Sequence, residues 1–446
     1  MAAIPLIHYG KLDSALAYRG GRPVNVAQFL HDVAHLAKSL PDKSHILNLC
    51  TDRYLFAVGF AAALLRGQVS LLPPNYAPAL VERLRKDYPG MYCLADGEVA
   101  FRDVEVMHFR HLPEMDEIKR SIPTIPAEQR AALVFTSGST GQPVPHPKSW
   151  GSLYKSALAE GASLYVERDS GMAVLGTVPA QHMYGLESSL LLALQNGLAL
   201  VAERPFYPAD IRAQLAALPR PRCLVTTPVH LRTLLAEAAE VPTVDFVLCA
   251  TAPLAPQLAV EAEARFAAPL YEIYGFTEAG QIASRRTTQG AAWHLLAGIE
   301  MHQDERGNYV RGGPVEIEAP LSDVIERKPD DTFVLHGRAT DMVNIAGKRT
   351  SLASLNHHLN AIPGVLDGTF FMPDDQDGAM RRPQAFVVAP GLRSEDILDA
   401  LRIQVDAVFL PRPLYFVDAL PRNTTGKITH ETIMQLMEAC SKKCPS

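Results

Sequence analysis

Short apolar runs alternate with helical stretches along most of this chain, and that rhythm limits the fold more than any other feature. His45–Cys50, Val69–Leu72, Ala131–Phe135, Ala173–Val178, Leu198–Ala202, Cys223–Thr226 and Asp245–Cys249 each read as a strand. Helical segments separate them. Val26–Leu40 repeats apolar residues at three- and four-residue spacing and stops before Pro41-Asp42. Such alternation predicts an α/β fold with mixed, largely parallel sheets. After about residue 290 the texture changes. Glu300–Val310 and Pro314–Pro320 read as antiparallel strands around Arg306-Gly307-Asn308, and Asp323–Leu335 as another hairpin around Pro329-Asp330-Asp331, forming a small β-rich subdomain. Beyond Arg338 the pattern is again α and β, with helices at Ser354–Ala361 and Ser394–Val408 and strands at Gly368–Met372, Gln384–Val388 and Leu414–Val417. A boundary near residues 336–342 divides a large N-terminal part from a small α+β C-terminal one. A chain of 446 residues exceeds what one core usually organises, which fits that division.

Composition narrows the function classes. Forty-two basic against forty-eight acidic side chains leave a net charge of −6, which argues against a nucleic-acid partner because backbone binding needs a concentrated basic face. Phe56–Leu65 and Ser189–Ala202 fall short of the about 20 residues that span a bilayer and read as buried helices, so no membrane insertion is expected. The first twenty residues show no basic segment followed by an apolar stretch, so no secretory signal is expected. Cys50, Cys93, Cys223 and Cys249 sit among apolar neighbours as reduced core residues, and Cys440 and Cys444 lack a histidine pair at zinc spacing. A cytoplasmic enzyme is the expected class.

The chemistry begins at Leu133–Pro143, where an apolar strand runs into Thr136-Ser137-Gly138-Ser139-Thr140-Gly141. Glycines permit close backbone approach, while hydroxyls and amides donate to anionic oxygens, so the turn suits a phosphate; a flexible surface loop is the alternative. It is not a P-loop, which needs a lysine that this turn lacks. Three further segments follow. Tyr274-Gly275-Phe276-Thr277-Glu278 gathers an aromatic ring, a glycine, a hydroxyl and a carboxylate, Asp323 precedes Gly337-Arg338, and Leu420-Pro-Arg-Asn-Thr-Thr-Gly-Lys427 places a lysine after a glycine turn.

These motifs, in this order over roughly residues 45–430, resemble the acyl-adenylate-forming superfamily of acyl- and aryl-CoA synthetases, nonribosomal peptide synthetase adenylation domains and luciferases. The resemblance implies ATP and Mg²⁺ as cofactors. Thr136–Gly141 would close over the β- and γ-phosphates, Tyr274 and Gly275 would lie at the adenine with Ala252 and Pro253, and Thr277 would touch the α-phosphate. Glu278 would hold Mg²⁺, which suits a hard carboxylate. Asp323 and Arg338 would bind the ribose diol, a local ion pair being the alternative. Lys427 would be catalytic, its ammonium stabilising charge that builds on phosphate oxygens as pyrophosphate leaves. The resemblance also implies residues 1–337 as the adenylation domain, 338–342 as hinge and 343–446 as a mobile lid that swings to admit a thiol. The pivot position is Thr340, beside Asp341, where Asp or Lys is usual; Gly347 and Arg349 would face the phosphopantetheine arm.

Two departures stand out. The expected Gly-x-Pro-Lys-Gly continuation is replaced by Gly141-Gln-Pro-Val144-Pro-His146-Pro-Lys148, so Lys148 or His146 takes the lysine's place or hydroxyls and Mg²⁺ act alone. Ala250-Thr-Ala-Pro-Leu254 stands where glycines are more usual. The acid pocket would draw on His182, also placed at the catalytic end, with Tyr184, Thr226, Cys249, Ala250 and Phe276; a satisfied core histidine is the alternative for His182. That mostly apolar set suits an aromatic, hydroxybenzoate-like acid or a medium-length acyl chain, and no aspartate is offered to an α-amino group. The expected reaction joins a small carboxylic acid to CoA or to the phosphopantetheine of an acyl carrier protein. The chain's compactness is similar to small ligases of bacterial pigment and polyene pathways, in secondary metabolism. A non-catalytic nucleotide-binding derivative of the fold is the rival reading.

Overall fold

A computed structural model describes residues 2–99, 103–109, 121–137, 143–305, 307–338, 342–345, 348–373, 382–422, 428 and 430–443. The alternation of short strands and helices resolves into two large sheets. One has six strands in the order Pro143–Ser149, Arg130–Ser137, Val69–Leu72, His45–Asn48, Tyr92–Ala95 and Val106–His108. Only its first pair is antiparallel. The other has eleven strands and is parallel from Leu270–Phe276 through Phe246–Cys249, Arg222–Thr226, Ala173–Gly176 and Ala199–Val201 to Ala15–Arg19. Antiparallel strands flank it on both sides, ending in the hairpin Asp323–Arg327 with Thr332–Arg338. The sheets are thus mixed, with parallel cores. The β-rich subdomain is the antiparallel trio Glu300–Asp304, Gly307–Gly312 and Val315–Pro320.

The principal core joins residues of both sheets to the helices Val26–Ser39, Arg53–Leu65 and Trp150–Ser163. Arg53–Leu65 is apolar almost all round, and every residue from Arg53 to Leu64 is buried, as an interior helix requires. Asp52 caps it by accepting from the Leu55 amide at 3.0 Å. The run Ser189–Ala202, expected as a buried helix, is broken: a π-turn spans Leu186–Leu191, a short helix Leu192–Asn196, and after left-handed Gly197 comes the strand Ala199–Val201, within the stretch Leu198–Ala202 also expected as a strand. Gly197 stops the helix because only a residue without Cβ turns there cheaply.

Arg53 is 2% exposed despite its charge. Its guanidinium donates to the carbonyls of Val201 at 2.9 Å, Gly176 at 3.0 Å, Val178 at 2.8 Å and Glu203 at 3.2 Å. Burial lowers its pKa to about 10, still well above neutrality. The charge therefore ties together the C-terminal ends of two adjacent parallel strands, the place where ligands bind in open α/β sheets.

The C-terminal part has its own core around Val343, Leu355, Phe370, Val387 and Leu401. Its three-stranded sheet, Asp367–Phe371, Gln384–Val388 and Leu414–Phe416, packs with helices Leu352–Asn360 and Ser394–Gln404. One acid links it to the large part. Asp367 receives Arg422 bidentately, at 2.9 and 2.7 Å, and Arg232 of the helix Pro228–Ala236 at 3.1 Å. Arg232 also donates to Leu366 O at 2.8 Å and Asn360 Oδ1 at 3.2 Å.

Replacing Arg53 leaves several buried carbonyls without a donor, each costing about 1–3 kcal/mol. Arg53→Met is expected to lower stability by about 3 kcal/mol or more, read from the denaturant midpoint at unchanged slope. A change below about 0.5 kcal/mol would show that the guanidinium does not tie these strands.

Candidate functional site

The strand Pro143–Ser149 reads as loop because it holds three prolines, yet it is the edge of the six-stranded sheet. Pro143, Pro145 and Pro147 alternate, opposite Ser137, Phe135 and Leu133. Proline lacks an N–H, so at an edge it fits positions that would point that group outward. The even positions Val144, His146 and Lys148 then share one face. Burial grades along that face from Val144, 44% exposed, to Lys148, 4% exposed.

That face meets the turn after Leu270–Phe276. Lys148 Nζ donates to the Glu278 carbonyl at 2.7 Å. His146 Nε2 lies 3.0 Å from Thr136 Oγ1 and 3.9 Å from Glu278 Oε1. Burial lowers the Lys148 pKa, while the carboxylates of Glu187, Glu278 and Glu316 pull it back up. Gly275 allows the turn to close: a Cβ there would sit 2.4 Å from Gly280 O. The Glu278 carboxylate stays partly exposed, and among the described residues no group of three or more His, Cys, Asp or Glu is placed to hold a metal ion. A single hard carboxylate fits Mg²⁺, an ion that commonly keeps few protein ligands.

Tyr274, on the same strand, packs its ring near Trp293 and Phe333 at centroid distances of 5.7 and 6.0 Å. Its hydroxyl donates to Asp323 Oδ2 at 2.5 Å. Asp323 is paired directly with Arg338 across its hairpin. Tyr274, Asp323 and the Arg338 backbone therefore meet, although they are far apart in sequence.

The acid-pocket candidates lie at the C-terminal ends of the parallel strands. Tyr184 donates to Thr226 O at 3.1 Å and Leu248 O at 3.0 Å, and burial raises its pKa well above the usual phenol value, so it stays neutral. Thr177 and Thr226 hydroxyls lie 3.1 Å apart. His182 begins the short helix Met183–Gly185. His230, unnoticed in the sequence, sits 2.9 Å from Thr227 Oγ1 with Phe206 edge-on. Ala250 belongs to the principal core, whereas Cys249 belongs to the cluster on the sheet's other face with Leu254 and Ala259. Successive strand residues point to opposite faces, which separates the two. Phe276 packs with Tyr274 against the cluster around Trp293. Ala252 and Pro253 follow Thr251, whose φ of +81° is a backbone conformation that strains a β-branched residue. Gly138, Ser139, Thr140, Gly141, Thr340, Asp341, Gly347, Cys444 and Lys427 lie outside the described residues; of Ser137, Arg338 and Arg349 only the backbone is described.

The family profile of "AMP-binding enzyme" matches residues 39–316. The chain belongs to the AMP-binding enzyme family. It is 30% identical over 305 residues to a 4-coumarate–CoA ligase of Rhodobacter capsulatus, covering 68% of this chain and 75% of that protein. Its fold matches ATP-bound MatB from Rhodopseudomonas palustris with a TM-score of 0.81 at 18% identity over 97% of both chains. It matches the anthranilate CoA ligase AuaEII, in complex with anthranoyl-AMP, with a TM-score of 0.81 at 16% identity over 98% of both. This AMP-binding enzyme is an acid–thiol ligase of the acyl-adenylate-forming type.

Near the strand Pro143–Ser149 the enzyme buries two acids that the sequence did not single out. Glu187 accepts from Ser156 Oγ at 2.6 Å, and burial pushes it up to about 7 although Lys148 draws it down. Glu160 accepts from Gln281 Nε2 at 2.9 Å, and burial pushes it up to about 8. Glu187 lies in the π-turn, a distortion frequent near functional sites.

Two outcomes follow from these groups. The folded pKa of Glu160 lies above its ordinary 4.5, so the fold holds a proton that the unfolded chain releases. Stability is therefore full below about pH 4.5 and falls as pH rises towards about 8. Glu160→Gln should gain melting temperature relative to the parent progressively from pH 5 to 8; a gain that shrinks over that window would contradict the assignment. Thr251→Gly relieves the left-handed strain and should add stability of about 1 kcal/mol by chemical denaturation, whereas a loss would show that the threonine side chain contributes more than the strain costs.

Proposed function

We propose that this ligase activates an aromatic carboxylic acid with ATP as an acyl-adenylate and passes the acyl group to the thiol of CoA. The contacts of Thr136 and His146 near Glu278, on the turn after the strand whose Tyr274 meets Asp323, support this reading, because they bring hydroxyl, imidazole and carboxylate groups suited to phosphate and metal near a ring and an acid suited to a nucleoside. Tyr274 offers ring area for adenine, with Gly275, Ala252 and Pro253 around it, while Asp323 and Arg338 provide an acceptor and a donor for the ribose diol. The tyrosine hydroxyl holds the Asp323 carboxylate in place for that task. Thr277 lies between nucleoside and metal ends. Mg²⁺ held by Glu278 would neutralise phosphate charge, which is the chemistry it supplies.

The carboxylate of the acid enters from the His182 side and attacks the α-phosphate. Bond formation there and departure of pyrophosphate concentrate negative charge, and a positioned ammonium at Lys427 stabilises that charge more than the ground state. Tyr184, Thr226, Ala250 and Phe276 shape the pocket as an apolar enclosure with few polar groups, which favours an aryl acid; the relatedness to 4-coumarate–CoA ligase supports the same class. Thiolysis of the mixed anhydride then releases AMP and the thioester. Residues 343–446 act as a lid on a hinge at 338–342, with Gly347 and Arg349 beside the thiol arm. A carrier-protein phosphopantetheine presents the same thiol and is the alternative acceptor. No helix among the described residues is long and apolar enough to cross a membrane, and we place the reaction in the cytoplasm.

The test is acid-dependent exchange of labelled pyrophosphate into ATP over a panel of aromatic and aliphatic acids. Aromatic acids should support exchange, and Lys427→Ala should lower it by about 10²-fold or more. The same variant should retain thiolysis of preformed acyl-adenylate. Full exchange by Lys427→Ala would refute the mechanism, and exchange supported by aliphatic acids alone would refute the substrate class.

A further inference from the structure

We propose that His146 is the side chain that donates to the departing β- and γ-phosphates, and that Lys148 is not a phosphate ligand but the strut that positions Glu278. The inference rests on the ligase reading above and concerns which residue of the variant strand serves it. Alternating prolines leave Val144, His146 and Lys148 on one face of the edge strand. Val144 is the most exposed of the three and carries no donor. Lys148 is the deepest, and its ammonium already serves the Glu278 carbonyl at 2.7 Å among the carboxylates of Glu187, Glu278 and Glu316. Reaching a phosphate would strip a buried ammonium of those partners, which is costly.

His146 occupies the remaining position. Its Nε2 stands between Thr136 Oγ1, at 3.0 Å, and Glu278 Oε1, at 3.9 Å, so it lies between the first hydroxyl of the phosphate turn and the metal-side carboxylate. The imidazole is partly buried, with 18% of its side chain exposed, shielded enough for a directional hydrogen bond yet reachable from solvent. An Nε2–H aimed there grips pyrophosphate oxygens and leaves the adenosine half untouched.

Titration calorimetry of the full chain with ATP, pyrophosphate and AMP, each with Mg²⁺, tests the assignment. His146→Ala should weaken ATP and pyrophosphate by about tenfold or more while AMP affinity stays within about twofold, the loss expected for one hydrogen bond to a charged group. His146→Gln retains an N–H donor and should recover part of the loss. Lys148→Met should weaken AMP and ATP together and lower melting temperature, because it unseats the Glu278 turn. An unchanged ATP-to-AMP affinity ratio in His146→Ala would overturn the proposal, as would an ATP-selective loss confined to Lys148→Met. If the parent protein bound neither nucleotide, the ligase reading itself would fall instead.

Discussion

The contact between Lys148 and the Glu278 carbonyl is the constraint on which the candidate site depends. A charge this deeply buried is tolerated only with partners, and here the partner is main chain in a turn between two strands of the other sheet. The bond fixes the edge of the six-stranded sheet against the turn that follows Tyr274, so Thr136, His146 and Glu278 are held near one another. Glu187 lies behind the same ammonium and accepts from Ser156, which extends the polar contact into the helix Trp150–Ser163. Such a network is stable while its donors and acceptors remain matched, and it makes local geometry strongly interdependent.

Arg53 plays a corresponding part at the C-terminal ends of the parallel strands. By serving carbonyls at the ends of the strands Ala173–Gly176 and Ala199–Val201, it holds the rim beside which Thr177, Thr226 and Tyr184 converge. Both anchors are cations bonded to backbone, so the site is framed by main-chain positions, not by a surface ion pair that solvent and salt would weaken. The Asp367 cluster extends this order to the C-terminal part. Arg422 reaches Asp367 from the segment that leads to Lys427, while Arg232 reaches it from a helix that starts at the pocket. Those contacts join the strand Asp367–Phe371, the segment before residue 423 and the helix Pro228–Ala236 through one carboxylate.

Much of the fold was readable because it is written in local periodicity. Val69–Leu72 and Gln384–Val388 appear as read, and most other strands shift by a residue or two at their ends. The strand Pro143–Ser149 was hidden because proline usually argues against a strand; its alternate spacing, which suits an edge, was the available signal. The break within Leu186–Asn196 was hidden because a π-turn and an α-helix share the same apolar composition. In the candidate site, the order of the motifs points to Thr136, Tyr274, Glu278 and Asp323, but pairings such as Tyr274 with Asp323 depend on sheet order, which no short window encodes. Arg53, Glu160 and Glu187 escaped notice for a related reason: an isolated charged residue in sequence reads as solvated until the packing around it is known.

The account's central claim is that ATP is cleaved between its first two phosphates to activate an acid. The most direct measurement is phosphorus NMR of the purified protein turning over ATP with an aromatic acid and CoA. AMP and pyrophosphate should appear in equal amounts, matched by the acyl thioester. ADP with inorganic phosphate as the nucleotide products would contradict the claim.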